Sequence, residues 1–294
     1  MDVRRLGYFL AVVDQGGFGR AAEHLLIAQP SLSQAISGLE RELGVQLFHR
    51  VGRGVVLSDA GRQLVEPARR VLRDVEAARA VIDSVQGLQR GRVHLVTTPS
   101  PGIEPLATLT ASLQASHPGL LVDIAAAFTR EEVMESVRTG ATELGLLASP
   151  GPVRTADLSV LHLEHQQLVL LSPAGADLPG TVKPGDLDER PMVVSPPGSL
   201  LRALVDDLLA GGARVRITAQ VAHRTSVLPL VLAGVGHAVV PSSWTTLARS
   251  AGAQVRTLRP TTYLKVSLVS RSDGLTPAAR AFIDTARAYA DQAS

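Results

Sequence analysis

The segment Gln29-Pro30-Ser31-Leu32-Ser33-Gln34 constrains this chain most. Proline biases the residue before it away from helix and suits a first helical position. Gln29 therefore reads as an N-cap and Pro30 as a helix start. Leu32, Ile36, Leu39 and Leu43 then form one apolar stripe, and Gly44 stops the helix. The opposite face carries Pro30, Ser33, Gln34 and Ser37; it is polar, short-chained and free of acids. Such a face can enter a DNA major groove about 12 Å wide, where hydroxyls and amides reach base edges.

Upstream, Val3, Leu6, Phe9, Leu10 and Val13 recur at helical spacing up to Gly16-Gly17, and a short helix follows from Phe18 to about Leu25. Downstream, two β-like runs between Val45 and Leu57 flank Gly52-Arg53-Gly54 and read as a hairpin wing. Arg50 and Arg53 stand where a wing meets phosphates or a minor groove. From periodicity alone, an ordinary helical bundle with a solvated arginine hairpin fits equally well.

Composition narrows the class. The 294 residues contain no cysteine, which excludes disulfides and cysteine-based metal or thiol chemistry. No run of about 18 apolar residues appears and nothing resembles a secretory signal, so a cytoplasmic protein without membrane contact is expected. Net charge is only +2, so bulk charge argues weakly for nucleic acid and the motif must carry the case.

The run AAEHLLIAQPSLSQAISGLERELGVQLFHRVGRGVVLSDAG, with its surroundings, resembles the N-terminal signature of LysR-type transcriptional regulators over about sixty residues without a gap. The resemblance implies base contacts from Gln29, Pro30, Ser33 and Gln34, with Ser37 on the same face, and phosphate contacts from Arg50 and Arg53. It also implies double-stranded DNA as partner, self-association as a dimer of dimers, and RNA polymerase as a further contact. The chain departs from the family at Gly17 and Gly19, where Ser or Thr is common, and at Gln34, Ser37 and Gly38, where Arg is common; fewer backbone contacts should follow.

Ser58 is a natural N-cap for a long helix. Leu64, Ala68, Val71, Val75, Ala78, Ile82 and Val85 alternate steps of four and three, the a/d seam of a dimerising helix. A helix lying on its own domain is the alternative. Pro67 should bend it, and residues 86–91 read as a hinge. The domains expected are 1–57, a winged helix-turn-helix; 58–91, linker; and 92–294, a sensor.

From Val93 strands and helices alternate in two similar rounds, which predicts α/β architecture with mostly parallel sheets. The resemblance implies a sensor similar to periplasmic binding proteins, with subdomain I at 92–161 plus 265–294, subdomain II at 162–264, and a small-molecule effector between them. Ligands in such sheets bind at strand ends and helix N-termini. Thr98 and Ser100, Thr129, Ser195 and Ser199, and Arg224 and Thr225 occupy such turns and suit an anion. No cofactor and no catalytic residue is expected. His162 and His165, three apart in a β-like stretch, should face opposite sides and hold no metal. An α/β enzyme would leave the first ninety residues unexplained; a transport receptor would lack its signal sequence.

Overall fold

The computed structural model describes residues 2–51, 54–84, 91–210 and 213–293. Three helices open the chain: α1 (Val3–Gln15), α2 (Phe18–His24) and α3 (Gln29–Leu43). Asp2 caps α1 by accepting from Arg4 N–H at 3.0 Å, and Gly16 ends it at φ 64°, a conformation that costs glycine little. Leu6, Phe9, Ala21, Ala22, Leu32, Ile36 and Leu39 meet in one core.

α3 begins one residue earlier than the sequence suggests. Ala28, not Gln29, is the N-cap, and its carbonyl accepts from Ser31 and Leu32 N–H at 3.0 and 3.2 Å. Pro30 falls in the first turn, where a missing N–H costs nothing. Strands β1 (Phe48–Val51) and β2 (Gly54–Leu57) pair antiparallel, Val51 opposite Gly54. Phe48 closes the core, its ring centroid 5.4 Å from Phe9 and 5.5 Å from Phe18.

α4 (Asp59–Ser84) runs 26 residues through Pro67, about 39 Å at 1.5 Å per residue. Ser58 caps it, accepting from Gly61 N–H at 2.9 Å and donating to the Gln46 carbonyl at 2.6 Å.

The sensor comprises β3 (Gly91–Thr97), α5 (Leu106–Ser116), β4 (Leu120–Ala126), α6 (Arg130–Arg138), β5 (Leu144–Ser149), β6 (Ser159–Ser172), β7 (Thr181–Val182), β8 (Pro191–Val194), α7 (Leu200–Leu209), β9 (Arg216–Gln220), α8 (Val227–Leu232), β10 (Ala238–Pro241), α9 (Thr245–Ser250), β11 (Gln254–Leu258), β12 (Tyr263–Ser270) and α10 (Pro277–Ala293). The sheets are mixed rather than mostly parallel. β3 runs parallel to β4 and β5, but β12 lies antiparallel to β5 and β6.

β6 is the strand that joins the subdomains. Its first half pairs with β12, and from Leu168 onward it pairs with β10 and β11. The expected break between residues 161 and 162 therefore falls inside one continuous strand, and β12 lies wholly in the first sheet. Leu168 and Leu170 enter one core while Val169 and Leu171 enter another. With both faces buried, this stretch is apolar without alternation. Trp244 is 3% exposed within the second of these cores.

Candidate functional sites: a recognition helix with its wing, and an interdomain cleft

α3 buries Leu32, Ile36 and Leu39 and turns Gln29, Pro30, Gln34 and Ser37 to solvent, with Ser33 half-buried beside them. None of the four hydroxyl- or amide-bearing side chains makes a hydrogen bond among the described residues, so their donors and acceptors remain open to a groove. The turn into α3 is made by Leu26, at φ 54° and 92% exposed. Glu40 went unnoticed in the sequence. Its Oε1 accepts from the N–H groups of Leu47 and Phe48, at 2.8 and 3.3 Å, and so fixes the wing to the back of α3. Arg50 lies in β1; its side chain, and all of Arg53, fall outside the described residues.

The sensor holds a cleft of about 470 Å³. Thr98, Ser100 and Thr129 line it from the first subdomain, and Ser195, Ser199 and Arg224 from the second. Thr225 is solvent-exposed and stands outside the lining, because the short 3-10 turn Arg224–Ser226 directs neighbouring side chains differently. Two hydroxyls are already occupied. Thr129 caps α6 by accepting from Glu132 N–H at 3.1 Å, and Ser199 caps α7 by accepting from Arg202 N–H at 3.2 Å. The turn after β3 does not open a helix at once, since α5 starts only at Leu106.

Arg224 Nη1 donates to Ser100 Oγ at 2.6 Å, joining two turns 124 residues apart in sequence. Burial pushes the Arg224 guanidinium down to about 10, so it keeps its charge at neutral pH. Thr98 Oγ1 is buried at the lining with no hydrogen-bond partner among the described residues. The apolar part of the lining, including Phe128, Leu200, Leu201, Val221 and Leu264, is assembled from turns far apart in sequence.

Residues 3–62 match the family described as bacterial regulatory helix-turn-helix protein, lysR family, and residues 86–291 match the LysR substrate binding domain. The chain belongs to the LysR family of transcriptional regulators. It is 30% identical to the HTH-type transcriptional regulator TfdS of Cupriavidus pinatubonensis over 98% of each chain. It is 31% identical to the regulator IlvR of Caulobacter vibrioides over 94% of each. In fold it resembles CbnR, a LysR family transcriptional regulator, with TM-score 0.76, 24% identity and 99% of each chain covered. CbnR bound to its target DNA gives TM-score 0.74, 24% identity, and coverage of 99% of this chain and 100% of that one.

Placed in this LysR-family regulator, the expected dimer seam divides. Ala68 is 1% exposed and sits in the N-terminal core, with Leu64 and Val71 packed against it. The first turns of α4 fold back on α1, where Arg69 pairs with Asp14 at 2.5 Å, so their apolar stripe packs on that core. Val75 is half-buried and Ala78 exposed; the Ile82 side chain and Val85 lie outside the described residues.

The two histidines also differ from expectation. Ser267 pairs with His162 but Val266 with Glu164, a bulge that gives Leu163 no counterpart. The extra residue brings His162 Nε2 within 3.3 Å of His165 Nδ1, with the rings edge to face. Burial, His165 and Lys265 hold His162 below its usual value. Among the described residues no three His, Asp or Glu side chains gather as a metal site, and no helix is long and apolar enough to cross a membrane.

Proposed function

We propose that this regulator reads its operator with the outward face of α3 and adjusts those contacts through a small anionic effector held between the sensor subdomains. The Arg224–Ser100 hydrogen bond carries the reading, because among the described residues it joins the cleft lining of one subdomain to that of the other, where a ligand would enter. An anion finds one half-buried cation and three hydroxyl-bearing turns. Binding does work only if it favours one placement of the subdomains over another. Movement of the sensor would then pass to α4 and change the spacing of two reading heads in a dimer, and of four in a dimer of dimers.

DNase I footprinting on the DNA upstream of the coding region tests this. With a carboxylate that raises the protein's melting temperature, the footprint should change in length or in its hypersensitive positions. Ser100→Ala with Arg224→Ala should remove the change and keep the footprint itself. An identical footprint with and without such a ligand overturns the effector role.

A further inference from the structure

The charges around the cleft narrow the chemistry of its ligand, on the reading that the effector binds there. Three charged side chains line it: Arg130, Glu131 and Arg224. Arg130 pairs with its neighbour at the exposed rim, Nε and Nη2 donating to Glu131 Oε1 at 3.0 and 2.8 Å. That pair cancels. Arg224 remains, with Ser100 as its hydrogen-bond partner and no ion pair among the described residues.

The two helix starts at the cleft are unequal. The first turn of α6 carries Glu131 and Glu132, and Glu132 Oε2 also accepts from Phe128 N–H at 2.7 Å. Its positive end is thus already neutralised, and an anion there would meet two carboxylates. The first turn of α7 has no acid, and its Leu200 and Leu201 line the cleft on the same subdomain as Arg224. Opposite them, Thr98 is 9% exposed and its Oγ1 has no partner. A buried hydroxyl left unpaired is costly and is normally satisfied. Among the described residues, Arg224, Ser100, Thr98 and the start of α7 bound one place in the cleft suited to an anion.

Beside the hydroxyls of Thr129, Ser149, Ser195 and Ser199, the rest of the lining is largely apolar. Phe128 is 69% exposed and Leu200 38% exposed, with Pro99, Pro150, Val221 and Leu264 around them. We infer that the ligand is a monoanion: one carboxylate, taken by Arg224, Ser100 and Thr98, on an apolar body that covers Phe128 and Leu200. A second carboxylate would be set against Glu131 or compete with it for Arg130, whereas the first has Arg224 to itself.

Calorimetry on the full chain tests this with two matched series, 4-methylbenzoate, 4-methylbenzamide and terephthalate, and hexanoate, hexanamide and adipate. In at least one series the monoacid should bind tenfold or more tightly than its amide and its diacid. Arg224→Met should abolish that preference, Arg224→Lys should keep much of it, and Phe128→Ala should weaken the monoacids several-fold. Equal or tighter binding of a diacid or amide overturns the monoanion, as does binding unchanged in Arg224→Met or no binding by any probe at 10 mM. Ser195→Phe, which fills the cleft, separates the two readings. If a diacid or amide wins and Ser195→Phe abolishes it, the cleft stands and the monoanion falls. If the ligands bind Ser195→Phe normally, the cleft reading itself falls.

Discussion

Glu40 Oε1 accepts from Leu47 N–H at 2.8 Å, so the last turns of the recognition helix hold the first residues of the wing. The helix proposed to read bases and the wing expected to meet phosphates therefore move as one body. Glu40→Ala leaves two part-buried N–H groups without their acceptor, at a cost of about 1–3 kcal/mol. Glu40→Gln keeps a carbonyl oxygen there and should cost less. Denaturant unfolding checks the order, and DNA affinity should fall in the same sequence. Equal stability of all three proteins would show that the contact positions nothing.

Gly61 is required for a different reason. A Cβ built on it would lie 2.2 Å from the Leu47 carbonyl oxygen and 2.9 Å from Leu57 Cδ2. The start of α4 thus presses on the base of the wing with no room for a methyl group. Gly61→Ala should cost about 1–3 kcal/mol through the backbone shift it forces, read as a lower melting temperature and weaker DNA binding. A wild-type melting temperature would mean that the chain relaxes there cheaply.

The division of α4 predicts two distinct failures. Ala68→Asp buries an unpaired charge in the N-terminal core and should unfold that domain. Val75→Asp lies beyond that core and should leave each chain folded but dissociate the assembly. Light scattering and circular dichroism separate the two. A wild type that stays monomeric at micromolar concentration would remove the dimer seam altogether.

His237 supplies a pH dependence. Its Nδ1 lies 2.9 Å from Ser172 Oγ in a buried pair. Burial first, then Arg190 and Arg256, hold its pKa below the usual histidine value of 6.5. The unfolded chain therefore binds a proton before the folded one does as pH falls. This contribution to stability is complete above about pH 6.5 and declines below it. Melting temperatures between pH 7.5 and 5 should fall more steeply for the wild type than for His237→Gln. Parallel curves would assign the acid sensitivity elsewhere.

The N-terminal elements were legible because each has one buried face, so the 3.6-residue period of Leu32, Ile36 and Leu39 writes itself into the sequence. Gln29 was misplaced by one position, since whether proline occupies the first or second helical residue depends on which carbonyl closes the turn. In the sequence β6 shows only as a β-like stretch around its histidines. Its first half mixes His162, Glu164 and His165 with apolar residues, and its second half is buried on both faces. The bulge at Leu163 is set by pairing with β12, a partner about a hundred residues away, so the contact of His162 with His165 left no local trace. The cleft was legible as turn chemistry, which found Ser100 and Arg224 separately; their pairing belongs to the packing of two subdomains. Thr225 shares Arg224's turn, and sequence alone could not tell which neighbour faces inward.

Fluorescence anisotropy with the duplex upstream of the coding region and a scrambled duplex of equal length tests the central claim, that the outward face of α3 reads bases. The wild type should prefer the upstream duplex. Gln34→Ala should lose about 1–3 kcal/mol on it and almost nothing on the scrambled one. Arg53→Ala should weaken both and lower the salt slope by about one unit. Equal wild-type affinity for the two duplexes, or an equal loss on both from Gln34→Ala, would contradict the account.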